Sequence, residues 1–367
     1  MSAGAVREED VFDVPKVAEW LRAHAAPEVA ADLVGEPQVR QFSAGASNLT
    51  YELRWPTRSL VLRRPPHGAL GGSAHNMRRE HDLQAALGAA FPHVPAMTAL
   101  CTDASVLGGD FYVMGKVEGT ILGRDLPEGV TLSPGQATRL CDTALATLVE
   151  LHEVDVSAVP DLAALDRGDG YVRRQVEGWS KRFRAAATDD VPDFEDVMAW
   201  LAQHEPADRP HTLIHNDFRL DNLVLDSDDP TRVVGVLDWE LATVGDPLMD
   251  LGGAMAYWTQ ADDDETMRSL RLQPTHLPGM LTRAEMVERY CTARDLEVTA
   301  EQWAFYEVFG LFRLAGIAQQ IYNRYHHGHT TNPRFAVFGP MVIYLETRCR
   351  SLIGETPPST PTTGASA

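Results

Sequence analysis

Between Thr212 and Leu241 a set of short β-forming runs interrupts a stretch whose pattern is otherwise helical. Leu213-Ile214 leads into His215, and Leu223-Val224-Leu225 and Val233-Val234-Gly235-Val236-Leu237 follow. The last two are separated by Asp226-Ser227-Asp228-Asp229-Pro230-Thr231, a dense turn signal. Folded as a hairpin, they bring Asn222 and Asp238 nearly level at the open end, within a residue or two of register. Asp217 lies on the loop that enters this hairpin. The chain must therefore build a small sheet, with polar residues at one end, inside a helical body.

That end of the hairpin has a specific chemistry. A carboxylate beside a paired Asn and Asp is what phosphoryl transfer needs: one base for a hydroxyl proton, and two hard oxygen ligands for magnesium against phosphates. Order and spacing follow H-x-D-x-x-x-x-N with a later strand-ending Asp, which assigns Asp217 as base and Asn222 with Asp238 as metal ligands. His215 reads as a hydrogen-bonding brace for the loop rather than as an acid or base. Asp226 to Asp229 read as turn formers, and Arg219 and Asp221 as solvated or paired with each other.

The remainder divides in two. From Gln38 to Val117 the runs are β-like, around a helical segment from Ala74 to Leu87. Beyond Gly119 helices dominate, and the helix to His152 opens on Ser133 as N-cap with Pro134 following. Residues 11–117 are expected to form an N-terminal lobe and 118–353 a C-terminal catalytic and substrate lobe. Residues 1–10 and the Pro/Thr/Ser-rich 354–367 read as unstructured ends.

A formal charge of −20 excludes a nucleic-acid backbone or an anionic membrane as the main partner. Any anionic ligand must be met by local arginines. The four cysteines have no short spacing, which suits free thiols in a reducing compartment. With no apolar run long enough to span a bilayer and no signal-like N-terminus, a cytoplasmic enzyme is expected.

With His215-Asn216-Asp217 through Asn222, then Leu237-Asp238-Trp239-Glu240 and Gly245-Asp246-Pro247 with Asp250-Leu251, the chain resembles the aminoglycoside phosphotransferase and choline kinase family. The likeness runs from about Val34 to Leu352. It implies an α+β, two-lobed, protein-kinase-like fold, ATP and Mg2+ as cofactors, and a structural role for Asp250 behind the catalytic loop. It also implies a hinge at Lys116 to Gly119, with adenine held by backbone groups around Met114, Lys116 and Val117. In the front lobe the resemblance implies that Ser43, Gly45, Ser47 and Asn48 form a loop over the phosphates. Arg63 stands where such proteins carry a strand lysine, with Glu80 as its ion-pair partner. Leu62-Arg63-Arg64-Pro65-Pro66, Arg79-Glu80-His81 and Asn216 to Asn222 resemble one branch in particular, found beside or fused to acyl-CoA dehydrogenases. The resemblance suggests a hydroxyacyl thioester as acceptor and an acyl-CoA dehydrogenase as pathway neighbour.

The expected activity is transfer of a γ-phosphoryl group to a hydroxyl of a small molecule. A catalytically silent ligand-binding protein and an aminoglycoside- or macrolide-modifying kinase are the alternatives. Acceptor contacts are expected from Tyr171, Gln175 and Trp179 on one helix and Arg313, Gln320 and Arg324 on another, the arginines favouring an anionic acceptor.

Overall fold

The computed structural model describes residues 3–42, 48–66, 76–330 and 332–355. Alternating hydrophobic and polar residues build a six-stranded antiparallel sheet in the order β1-β2-β3-β4-β6-β5. The strands are β1 (Ala3–Gly4), β2 (Gln38–Phe42), β3 (Leu49–Arg54), β4 (Ser59–Arg64), β5 (Met97–Cys101) and β6 (Phe111–Gly115). Tyr51, Leu53, Leu60, Leu62, Phe111 and Val113 bury one face against the Val14–His24 helix. The Met77–Leu87 helix covers the opposite face, which carries Val61, Tyr112 and Met114. Because strand side chains alternate, Arg63 and Arg64 part company: Arg64 points to the Tyr51 hydroxyl and the Asp10 carbonyl, Arg63 to the rear half.

The N-terminus departs from the expectation of disorder. Ala3 and Gly4 pair with Phe42 and Gln41, and buried Asp10 accepts hydrogen bonds from Arg7 (2.7 Å) and Gln41 (2.8 Å). A segment held by polar contacts has no apolar periodicity for a sequence reading to find. The C-terminal Phe338–Glu355 helix likewise runs slightly past the expected tail boundary at Gly354.

The rear half is helical, with two small sheets set into it. β7 (Thr120–Ile121), β9 (Leu223–Leu225) and β10 (Val233–Val236) form one; β8 (Thr212–Ile214) and β11 (Thr243–Gly245) the other. The hairpin register pairs Val236 with Leu223, and the Leu237 amide donates to the Asn222 carbonyl at 2.8 Å. Asn222 and Asp238 therefore leave the sheet side by side, as the turn signal predicts. Gly119, at φ 153, lets β7 close on β9: a Cβ there would stand 2.3 Å from the Leu225 carbonyl oxygen.

A helix the sequence reading passed over, Pro247–Ala256, packs against β8 with every residue buried. A helix buried all round has no amphipathic stripe, although Asp246 as N-cap with Pro247 next was a usable signal. It crosses the long Ala300–His326 helix at Gly252 and Gly310, where a Cβ on Gly310 would sit 2.2 Å from the Gly252 carbonyl oxygen. Gly310→Ala is expected to cost about 1–3 kcal/mol by forcing these helices apart, read as a lower urea midpoint. An unchanged midpoint would mean that the crossing is not tight.

The four cysteines are free, three of them buried. No helix among the described residues is long and apolar enough to cross a membrane.

Candidate active site

Asp250 organises the site from below. It lies on the buried Pro247–Ala256 helix at 1% exposure, and its carboxylate accepts the backbone amides of His215 and Asn216, both at 2.7 Å. His152 adds a third contact at 3.1 Å. Burial opposes the charge on Asp250, but the His152 hydrogen bond and the His215 amide outweigh it and hold its pKa below the ordinary carboxylate value. With its first two amides held in this way, the loop turns at Asn216, which is left-handed at φ 64. Arg313 fixes the same turn from the other side, donating to the Asn216 carbonyl at 2.6 Å.

His215 is fully buried, and its partners define its tautomer. Nε2 faces the Leu237 carbonyl at 2.9 Å, which only accepts, and Nδ1 faces the Asp217 amide at 3.2 Å, which only donates. The ring is thus a neutral spacer tying the catalytic loop to the strand that ends at Asp238, with no nitrogen left to move protons. Asp217 emerges into the cleft half-buried. Asn222 Nδ2 donates to its carboxylate at 3.0 Å and to its carbonyl at 2.8 Å. Burial pushes the Asp217 pKa above the ordinary value, with Arg219 pulling it back.

Arg219 pairs with Asp221, one of the two expected arrangements, and also meets Asp217, which was not expected. Its guanidinium lies 3.1 Å from Asp217 and 3.4 Å from Asp221, stacked 4.6 Å over the Tyr257 ring. Burial raises the Asp221 carboxyl too, so this one cation serves two carboxylates of impaired solvation. The motif gave its position; the Tyr257 stack came from a distant helix end and left no local signal.

Arg63 enters from β4 and spans the two halves. Nη2 contacts Asp238 and Glu240, each at 2.8 Å, and Nη1 lies 3.5 Å from Glu80. One guanidinium thus meets three carboxylates, and the surplus negative charge matters. Burial pushes the Glu80 carboxyl up to about 7, despite Arg63 and the Tyr112 hydroxyl at 3.0 Å. Asn48 Nδ2 also reaches Glu240 at 3.0 Å, and Arg79 donates to the Glu240 and Ala242 carbonyls. Glu240 was part of the motif but had no role assigned from sequence.

A divalent cation fits this donor set. Asn222 commits its amide nitrogen to Asp217, and Asp238 commits Oδ1 to Arg63. Asn222 Oδ1 and Asp238 Oδ2 thus remain as oxygens that no donor reaches among the described residues. Two hard oxygens beside a carboxylate-rich cluster suit magnesium.

At the hinge, Met114 is buried opposite Val61, and Val117 packs into the space at Gly235, where a Cβ would meet it at 2.8 Å. The Lys116 ammonium is engaged by Glu52 (3.1 Å) and Glu118 (2.9 Å). The backbone amides of Val117 and Glu118 donate to no backbone carbonyl among the described residues. Ser43, Gly45 and Ser47 lie outside the described residues.

The expected acceptor residues separate. Trp179 and Arg313 come together, with Arg313 Cζ 5.6 Å from the ring centroid. Tyr171 corrects the expectation: it is a core residue whose ring sits against Gly245, where a Cβ would be 2.5 Å away, behind the catalytic loop. Gln175 is half-buried with no side-chain hydrogen bond among the described residues, and Gln320 folds back onto the Gly316 carbonyl at 3.1 Å. Arg324 is exposed, three turns and roughly 16 Å further along the helix than Arg313. Helical spacing put these residues on one stripe, but a 27-residue helix extends well beyond the cleft.

Residues 38–286 match the model of the phosphotransferase enzyme family. The chain is 37% identical over 346 residues to acyl-CoA dehydrogenase family member 11 of Gallus gallus, covering 92% of this chain and 43% of that protein. It thus spans less than half the length of that relative. A solved structure from Ralstonia eutropha, provisionally described as an aminoglycoside phosphotransferase, is 31% identical with a TM-score of 0.75, covering 93% of this chain and 99% of that one. Choline kinase from Cryptosporidium parvum shares the fold at a TM-score of 0.62 and 9% identity, covering 94% and 96% of the two chains.

Proposed function

The chain belongs to the phosphotransferase enzyme family and has its kinase-like α+β fold, and from that premise we propose that it transfers the γ-phosphoryl group of ATP to a hydroxyl of a small molecule. The observation that carries this reading is the Asp217–Asn222 hydrogen bond at the open end of a hairpin whose other strand delivers Asp238.

In this reading Asp217 accepts or orients the acceptor's hydroxyl proton. Its raised pKa suits a base held in a partly desolvated site, and Asn222 fixes the direction of its carboxylate. Asn222 and Asp238 hold Mg2+, which neutralises charge on the transferring phosphoryl group when bound. Arg63 takes the place of a lysine, with a fork that matches phosphate oxygens as well as the carboxylates it now contacts. Glu80 and Glu240 hold that fork in the cleft. The free amides of Val117 and Glu118 are suited to an adenine edge.

Asn222→Ala is expected to raise the Mg2+ concentration for half-maximal turnover by at least about tenfold, because a direct ligand matters no less than an outer-shell one. A magnesium titration of ATP turnover checks this; an unchanged midpoint removes Asn222 from the metal site. Arg63→Lys is expected to raise the KM for ATP more than it lowers kcat, since a point charge serves three carboxylates and a phosphate less well than a fork. Equal KM values would detach Arg63 from the nucleotide.

The likeness to acyl-CoA dehydrogenase family proteins supports a hydroxyacyl thioester as acceptor, with an acyl-CoA dehydrogenase as pathway neighbour. Labelled ATP incubated with hydroxyacyl-CoAs, aminoglycosides and macrolides, followed by mass identification of the product, separates these acceptors. Nucleotide binding with no turnover on any of them would replace this reading with a silent ligand-binding protein.

A further inference from the structure

The helix Tyr171–Ala185 contributes a residue that takes no part in the nucleotide or metal chemistry. Arg182 lays its guanidinium over the Trp179 ring, Cζ 4.1 Å from the centroid, while Arg313 approaches the same ring to 5.6 Å from the long helix. Neither arginine has a carboxylate within 4 Å among the described residues, in a chain with 52 acidic residues against 32 lysines and arginines. Arg313 is only 7% exposed, and its partner is a carbonyl, that of Asn216. By contrast Arg63, Arg219 and Arg283, also largely buried, each meet two or more carboxylate oxygens.

Small residues clear the space for this arrangement. A Cβ on Gly253 would press on Arg313 Nη1 at 3.1 Å, one on Gly316 on the Trp179 ring at 3.0 Å, and one on Gly178 would stand 3.5 Å from the Arg182 guanidinium. Stacking on an indole stabilises each cation, but two cations sharing one ring also repel, and partial burial together with Arg313 lowers the Arg182 pKa. An anion between them relieves that repulsion. The position is next to the chemistry, because Arg313 is bonded to the residue immediately before Asp217.

We propose that Arg182, Trp179 and Arg313 form the acceptor-side anion site, which binds a carboxylate or phosphate group of the hydroxylated acceptor while its hydroxyl faces Asp217. The placement rests on the phosphotransferase reading above, since it takes Asp217 as the point of transfer. The two arginines supply charge-assisted hydrogen bonds and the indole a flat wall. A cationic acceptor is disfavoured by the same pair.

The test is calorimetric binding to the full chain saturated with a non-hydrolysable ATP analogue and Mg2+, using pairs of ligands that differ in charge. One pair is 4-hydroxybutanoate and 4-hydroxybutanamide, which isolates a carboxylate. The other is phosphopantetheine and pantetheine, which isolates phosphate. At least one charged member is expected to bind about tenfold tighter than its neutral partner, the value of one charge-assisted hydrogen bond. Arg182→Gln, on an exposed helix position, and Arg313→Lys, which keeps a donor for the Asn216 carbonyl, are each expected to bring that ratio toward one. Equal binding within both pairs, no binding of either anion, or an unchanged ratio in both variants overturns the proposal. Charge discrimination without any phosphate transfer would leave the anion site standing and remove only the phosphotransferase reading.

Discussion

Asp217→Asn is expected to lower kcat for phosphoryl transfer by about 10²–10⁴-fold, with nucleotide affinity nearly unchanged. The substitution is isosteric, so the loop held by Asp250 and Arg313 has no reason to move. What changes is the proton chemistry. The native carboxylate accepts from Asn222 on one oxygen and lies 3.1 Å from the Arg219 guanidinium on the other, and it still has lone pairs for a hydroxyl. An amide cannot present an oxygen on both sides: turning its oxygen to Asn222 sets its NH2 group against the Arg219 guanidinium, and the reverse sets it against Asn222 Nδ2. Basicity is lost in either orientation. The measurement is steady-state transfer alongside binding of an ATP analogue and a thermal melt. A kcat within tenfold of wild type, with a normal melt, would remove Asp217 as base.

Asp250→Ala is expected to be the most destabilising single substitution in the site, at about 3–5 kcal/mol. Its carboxylate satisfies the His215 and Asn216 amides and meets His152, whose Nδ1 contacts the Tyr290 hydroxyl at 2.6 Å. Removing it strands two backbone donors and an imidazole N–H in a dry interior, and each unsatisfied buried group costs about 1–3 kcal/mol. Such a loss is a large fraction of an ordinary folding free energy. Acid response supplies a second readout. The Asp250 pKa is depressed in the folded chain, so its contribution is present above the unfolded carboxylate value and is lost as pH falls through the folded one. The variant should therefore lose less stability than wild type between pH about 4 and lower values. Urea midpoints at neutral and acid pH test both statements; a drop below 1 kcal/mol would mean that water or a neighbour replaces the carboxylate.

The hairpin of the candidate site was legible because its signals are local. Asp217 and Asn222 are five residues apart, and a turn signal between two apolar runs is enough to bring Asp238 alongside. The same logic found the front sheet, whose strands follow one another in sequence apart from the β4–β6 crossover. It failed where burial was complete or where polar contacts replaced apolar pattern. The Pro247–Ala256 helix has no polar face to betray its period, and the Ala3–Gly4 strand is secured by pairing and by Asp10.

The His215-to-Asn222 motif, the hairpin and the paired Asn and Asp were therefore determined by the sequence itself, since covalent spacing limits where neighbouring groups can lie. Arg63 and Arg313 could be named from the sequence, but what each arginine of the site contacts was decided only by the tertiary structure. Arg63 meets Asp238 across 175 positions, Arg313 reaches Asn216 across 97, and Arg182 gains its place from a ring that Arg313 shares. Tyr171 and Arg324, on the same helices, are turned into the core or carried past the cleft. Charge acts through space and is strengthened by burial, so a guanidinium's role depends on what the fold packs around it, and residue order does not encode that directly.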